Sequence, residues 1–270
     1  MPQLVSSDTL KVLLTRYPRA YDAARRPYAL SRYLLRRPHE ADYAVFALFA
    51  GDERPFLDVG ANAGMSALSF RIYNRRSPIV SVEPNPYHKR DLQFTGKVVR
   101  HHTYHLMAAG DRDETMTLFV PVFRGVPLTT EASLDRENVA SSPSLRWRLG
   151  DRMDSSDFEI VQTTVPVRRL DELALDPGFV KLDVQGAESA ALRGLEQTLR
   201  RSLPVLMIEG FSSEDGEFLE ALGYEQFEYL RDAHRLRRLD DRAPQDEYPN
   251  NTVLVHPSQP GRRPDAAAPR

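Results

Sequence analysis

The sequence predicts an α/β fold, an open and mostly parallel sheet with helices on both faces. Three observations carry that reading. Short apolar runs recur at 56–59, 79–83, 103–109, 179–184 and 204–209. Helix-period segments at 65–74, 86–96, 187–201 and 214–222 lie between or after them, and this alternation is the signature of parallel strands joined by helical crossovers. Finally, the first run, Phe56-Leu57-Asp58-Val59, leads through Gly60-Ala61-Asn62-Ala63-Gly64 into a helix start, the strand–turn–helix arrangement at which open α/β sheets bind ligands.

Along the chain, residues 7–50 read as helical. Leu10, Val12, Leu13, Leu14 and Tyr17 form one apolar cluster, and Tyr28, Leu30, Tyr33, Leu34 and Leu35 a second. Arg25, Arg26, Arg32, Arg36 and Arg37 read as a solvated face with snorkelling stems, and Ala41–Phe49 is an apolar helix entering the first strand. After the third strand the texture changes. Glu114–Phe123 and Val161–Val167 alternate apolar and polar residues, as exposed strands do. Between them, 125–157 is polar, carries the lone Trp147, and is expected to be a long mobile loop over the ligand cleft. Strands at 225–230 and 252–256 close the pattern, and 257–270, rich in Pro, Ala and Arg, reads as a disordered tail. The expected organisation is an N-terminal helical extension over 1–50, a ligand-binding domain over 51–256, and that tail.

Bulk composition excludes several classes. The 270 residues are 41% hydrophobic and 27% charged, with a net charge of −2, so no global field favours nucleic acid or an anionic membrane. There is no cysteine, which removes disulfides, thiolate nucleophiles and cysteine-ligated metals. No apolar run reaches the ~20 residues a membrane span needs. The start of the chain lacks the pattern of a secretory leader, so a cytoplasmic location is expected. The expected partner is a small molecule, with homo-oligomerisation left open, and no clustered spacing predicts a metal.

The chemistry concentrates at strand ends. Gly60-x-x-x-Gly64 is not the G-x-G-x-x-G of dinucleotide binders, whose dense glycine admits a pyrophosphate. Asp58 beside that turn would repel an anion, whereas S-adenosylmethionine carries an ammonium and a sulfonium that an acid attracts. Asn62 reaches backbone or a carboxylate. Glu83, 25 residues after Asp58, can accept from both ribose hydroxyls. Small residues Ala108 and Ala109, after Met107, would let a flat adenine ring approach. In Val180-Lys181-Leu182-Asp183-Val184, alternation puts Lys181 and Asp183 on one face. A buried lysine and aspartate must be paired or face a cleft, which makes Asp183 the candidate base or hydroxyl orienter, with Lys181 tuning it. Glu209 is a further acid on the same rim, and Trp147 a candidate stacking surface for the acceptor. Glu188, in a first helical turn, reads as structural. A nicotinamide-dependent oxidoreductase and a non-catalytic binding protein are the alternatives on such a sheet.

Asp58-Val59-Gly60-Ala61-Asn62-Ala63-Gly64, Glu83-Pro84-Asn85-Pro86 and Lys181-Leu182-Asp183-Val184-Gln185-Gly186-Ala187-Glu188 together resemble the FkbM family of S-adenosylmethionine-dependent methyltransferases. The resemblance runs from about Phe56 to His256. It implies a class I methyltransferase, Rossmann-like fold with a seven-stranded sheet whose last strand is antiparallel. It also implies O-methylation of a sugar or secondary-metabolite hydroxyl. Asp58, Gly60, Asn62 and Gly64 carry over for the cofactor, and Glu83 for its ribose. Gln185 departs from the glutamate common in the family, so an ionised carboxylate is not expected there.

Overall fold

Each central strand buries both of its faces, so period-2 alternation sorts its apolar side chains into two separate cores. A computed structural model describes residues 17–210, 212–241 and 249–258. Its strands are β1 (Phe56–Val59), β2 (Ile79–Val82), β3 (His102–His105), β8 (Phe179–Leu182), β9 (Val205–Glu209), β10 (Glu225–Leu230), β11 (Arg235–Arg238) and β12 (Asn251–Val255). These eight form one sheet in the order β11-β10-β12-β9-β8-β1-β2-β3. β12 runs against both β9 and β10, while β1, β2, β3, β8 and β9 are parallel.

Seven of these strands match the expected sheet and its reversed last strand. The eighth, β11, corrects the count. Arg-Leu-Arg-Arg does not read as a strand, but it forms a hairpin with β10, buries only Leu236, and ties its arginines to the neighbouring strand through Arg237–Glu228 and Arg238–Glu225 pairs.

The first core holds Phe56, Ile79, Phe179, Met207 and Val253 against Tyr43, Phe46, Phe49 and Phe70. The second holds Leu57, Val82, Val180, Leu182 and Ile208 against Ala191, Leu192, Leu199 and Leu219. Helices that pack on the sheet include α2 (Met65–Tyr73), α3 (Lys89–Val98), and the pair α6 (Glu188–Arg193) and α7 (Glu196–Ser202). The last two replace the single helix expected over 187–201, which breaks at Gly194. The capping box of Ser212 and Asp215 starts α8 (Ser213–Ala221).

The run expected over 103–109 divides. β3 ends at His105, and β4 (Ala108–Ala109) joins a second sheet, ordered β4-β7-β5-β6, with β5 (Glu114–Phe123), β6 (Val126–Pro127) and β7 (Phe158–Arg168). The 125–157 segment is not a structureless loop. It folds into α4 (Arg136–Ala140), α5 (Pro143–Leu149) and a 3₁₀ turn over Gly150–Asp154. Leu128, Val139, Leu145, Leu149 and Met153 close over Phe123 in a core of their own. Glu131 pins the segment by accepting from Ser142, Ser144 and Arg148. The polar surface of this small unit masks its sparse apolar positions in the sequence.

Within the 7–50 segment, α1 is Pro18–Leu34 and a 3₁₀ helix spans Ala41–Phe49, with a non-helical turn over 35–40 between them. Of the first apolar cluster only Tyr17 is described, and it is exposed; residues 10–14 and the tail from residue 259 lie outside the described residues. The core runs across the boundary expected at residue 50. Phe46 packs edge-on against Phe56, Phe70 and Phe179 at centroid distances of 5.5, 5.1 and 5.7 Å. Nor are the α1 arginines all a free face. Arg25 and Arg26 both bind Asp91 of α3, whose carboxylate is 2% exposed, and Arg36 donates to the carbonyl of Ile72. Among the described residues no helix is long and apolar enough to cross a membrane.

Phe46→Ala should therefore destabilise the whole sheet domain by about 3–5 kcal/mol, read as a shift of the urea midpoint. A loss below ~1 kcal/mol would mean that Ala41–Phe49 merely leans on the sheet.

Candidate functional site

The face of the sheet that is apolar at the N-terminal ends of its strands turns polar at their C-terminal ends. One residue beyond or at the last ladder positions, Glu83, Gly60, Asp183 and Glu209 stand side by side on β2, β1, β8 and β9, with Asn251 opposite Glu209 on β12. One step beneath them Ser81, Asp58 and Lys181 are cross-strand neighbours.

The Gly60–Gly64 turn is closed by its own hydrogen bonds. The Gly60 and Ala61 N–H groups donate to the Val82 carbonyl, Asn62 to Glu83, Ala63 to its neighbour's Asn62 side chain, and Gly64 to the Ala61 carbonyl. No N–H of the turn is left for a pyrophosphate. Gly60 sits at φ 82°, and a Cβ there would fall 1.8 Å from the Asp183 carbonyl oxygen, so only glycine brings the β1 turn against the end of β8. Gly64, at φ 79°, packs on Thr95 in the same way and leaves the start of α2 without a side-chain cap, a positive helix end open to a carboxylate. Asn62 holds a left-handed backbone at φ 49°, which asparagine tolerates better than most residues.

Glu83 is 6% exposed. Its two carboxylate oxygens accept from the N–H groups of Asn62 (2.7 Å) and Asn85 (2.8 Å), so it locks the turn to the end of β2. Burial raises its pKa, against the pull of His88 and those two donors. Each oxygen keeps a second lone pair. The Met107 N–H donates to the Glu83 carbonyl, which sets Ala108 beside it. Ala108 is partly exposed, whereas Ala109 and Met107 bury their side chains in the second core.

Asp58 is fully buried rather than presented at the cleft surface. Ser81 Oγ lies 3.2 Å from its Oδ2 and 3.0 Å from His102 Nε2, while Oδ1 has no hydrogen-bond partner among the described residues. Burial pushes Asp58 up to about 6, against the attraction of Lys181. His102 is pushed down to about 4 by burial and by the charge of Arg71, so it is neutral near pH 7, a link in this chain rather than a surface group.

Lys181, 1% exposed, donates to Asp183 Oδ2 at 2.9 Å, and Gln185 donates to Asp183 Oδ1 at 2.9 Å. Gln185 thus does what a glutamate could not, donating to the aspartate. Its left-handed backbone, φ 55°, turns the chain so that this bond can form. Glu188 accepts from the N–H groups of Val184 and Gly186, the structural role its position suggests.

Several site residues were invisible in the sequence because they come from the N-terminal segment and the last strand. His39 is fixed by two contacts to Ser69, through its N–H at 3.0 Å and its Nδ1 at 2.8 Å, and its Nε2 lies 3.3 Å from Glu40. Asn251 bridges Glu40 (3.2 Å) and Asp42 (3.1 Å). His39 holds Glu40 down to about 2, with Lys181 and Asn251 assisting against burial. Trp147 does not join this rim. It is 61% exposed and borders a groove with Arg148, Gly150, Asp151 and Arg152 that no rim residue lines. Among the described residues no group of three or more His, Cys, Asp or Glu is placed to hold a metal ion.

The profile of the methyltransferase FkbM domain matches residues 58–242. The chain belongs to the FkbM methyltransferase family. Among solved structures, similarity is found to a methyltransferase FkbM of Methylobacillus flagellatus KT, at 16% identity and a TM-score of 0.46, covering 76% of this chain and 44% of that one. It is also found to a precorrin-6y C5,15-methyltransferase of Geobacter metallireducens GS-15, at 13% identity and a TM-score of 0.39, covering 78% and 83%. A SAM-dependent O-methyltransferase of Thermotoga maritima aligns at 9% identity and a TM-score of 0.34, covering 81% and 64%. The chain thus spans less than half the length of the first of these. No curated protein matches it.

The buried acid predicts a pH signature of stability. Folded Asp58 keeps its proton up to about 6, whereas the unfolded chain releases it near 3.8, so Asp58 costs the fold stability as pH rises between those values. Asp58→Asn lacks this cost. Its stability relative to the wild type should rise between pH 4 and pH 6 by up to roughly 3 kcal/mol and then level off. Urea unfolding across that range checks this; a constant difference would mean that Lys181 fully compensates the charge.

Proposed function

We propose that this protein transfers the methyl group of S-adenosylmethionine to a hydroxyl of a sugar or secondary-metabolite acceptor. The observation that carries the reading is the contact of Gly60 with Asp183, which sets a turn with no spare N–H groups directly beside a clamped acid. A turn whose own N–H groups are satisfied suits a ligand without phosphate at that point, which favours S-adenosylmethionine over a nicotinamide dinucleotide.

The residues present fit this cofactor. Glu83 would take the ribose hydroxyls on its remaining lone pairs, with Ala108 beside the adenine. The open start of α2 and Asn62 would meet the methionine carboxylate. Asp58 would act from beneath, by charge through space, on the ammonium and sulfonium. When bound, the cofactor supplies a methyl carbon already activated by its positive sulfur. The chain's own tasks are then alignment and proton removal. Alignment of reacting groups supplies up to ~7–11 kcal/mol in favourable cases. Asp183, with both oxygens held, is rigid enough to orient an acceptor hydroxyl. Trp147 takes no part in this arrangement.

Calorimetry with S-adenosylhomocysteine tests the cofactor half. Glu83→Ala should weaken binding by about 10- to 100-fold, since hydrogen bonds to a charged group are worth ~1.5–3 kcal/mol. Unchanged affinity would remove Glu83 from the ribose. A screen of glycosides and polyhydroxylated metabolites with methyl-labelled cofactor tests the acceptor half; label appearing only on nitrogen or carbon would overturn O-methylation.

A further inference from the structure

We propose that Glu209, rather than Asp183, accepts the proton of the acceptor hydroxyl, and that Asp183 and the N-terminal Glu40 are positioning residues that hold Glu209 ready for it. The inference rests on the functional reading above and assigns its base.

Both oxygens of Asp183 are engaged by strong donors, Lys181 Nζ at 2.9 Å and Gln185 Nε2 at 2.9 Å. Such contacts hold the carboxylate in one orientation and take up part of its accepting capacity. Glu209 occupies the adjoining strand end, next along the rim, where its carboxyl group meets that of Asp183 in a side-chain hydrogen bond. It is partly exposed, so a ligand can reach it.

The groups facing Glu209 are unequal in sign. Asp183 and Glu40 are negative and Lys181 is positive, while Asn251, opposite on β12, is neutral. Behind Glu40 and Asn251 stand His39, Asp42 and Arg231. Asn251 spans Glu40 and Asp42, so the N-terminal turn is fastened to the same end of the sheet that carries Glu209. Burial and the two negative neighbours raise the Glu209 pKa, with Lys181 opposing, whereas Glu40 is held down to about 2. Two acids in one cleft whose environments push them apart divide into one that stays charged and one that exchanges a proton. In the step itself the hydroxyl oxygen bonds to the methyl carbon. The carbon–sulfur bond breaks with its electron pair left on sulfur, which becomes neutral. The hydroxyl proton passes to Glu209, which later releases it to water.

The test compares Glu209→Gln, Glu209→Asp, Asp183→Asn and Glu40→Gln. Binding of S-adenosylhomocysteine and thermal unfolding are measured on each. Difference infrared spectroscopy of the protein alone, wild type minus Glu209→Gln, gives the titration midpoint of Glu209. That midpoint should lie above 4.5 and fall in both Asp183→Asn and Glu40→Gln. With an acceptor from the screen, Glu209→Gln should lose ~10²-fold or more in kcat while binding S-adenosylhomocysteine as the wild type does. Glu209→Asp should recover part of the loss, and serves in its place should the glutamine variant fold poorly. Asp183→Asn should retain the acidic limb of the kcat profile, moved to lower pH. A Glu209 midpoint at or below 4.5, a Glu209→Gln variant active within a few-fold, or an acidic limb abolished by Asp183→Asn but kept in Glu209→Gln would each overturn the assignment. A wild type that does not bind S-adenosylhomocysteine would instead overturn the functional reading, which separates the two failures.

Discussion

The Asp183 carbonyl oxygen occupies the space where any other residue at position 60 would carry a Cβ. That single contact brings the end of β8 against the turn after β1. It fixes the distance between the Gly60–Gly64 turn with Glu83 on one side of the rim and Asp183 with Glu209 on the other. The positive φ of Gly60 and the Val82 carbonyl that gathers two turn N–H groups hold the turn in this shape without any ligand. Glu83 adds a second lock by accepting from Asn62. Such preorganisation matters for a transfer reaction, because misplacement of reacting groups by a fraction of an ångström weakens alignment.

Beneath the rim, the buried charges form one connected system. Lys181, almost fully enclosed, sits in register with Asp58 and donates to Asp183, and its field reaches Glu40 and Glu209. A buried ammonium needs paired carboxylates, and here it has one fully buried partner and one at the cleft edge. The pairing also sets the chemical division of labour. The acid bound most directly by Lys181 is held at both oxygens, while Glu209, farther along the rim, meets it edge to edge.

The N-terminal segment does more than cover the sheet. Phe46 fills the first core among Phe56, Phe70 and Phe179. Arg25 and Arg26 close on the buried Asp91, and the turn between these two anchors carries His39 and Glu40 to the rim. Because both flanks are fastened, the turn holds its acid in place with little freedom to lose on binding. The second sheet, by contrast, builds its own core beneath Trp147 and contributes no side chain to the row of acids.

The sequence by itself determined the central parallel strands, the helices that follow β1 and β2, the two glycines and the acids at strand ends, because these are short-range requirements. Period-2 alternation placed Lys181 and Asp183 on one face, and burial on both sides demanded near-continuous apolar runs at β1, β2, β8 and β9. Only the tertiary structure decided which acids meet. Glu40 and Asn251 are joined across 211 positions of chain, and no local pattern marks either. It also decided that Asp58 lies wholly beneath the surface, since strand periodicity gives a face but not what packs upon it. It turned 125–157 into helices around a small core, where few apolar residues suffice because Glu131 fastens the segment by hydrogen bonds. The pairing of β11 with β10 was equally hidden: a strand with one inward residue carries no periodicity to read, and its place is fixed by the ladder and ion pairs of its neighbour.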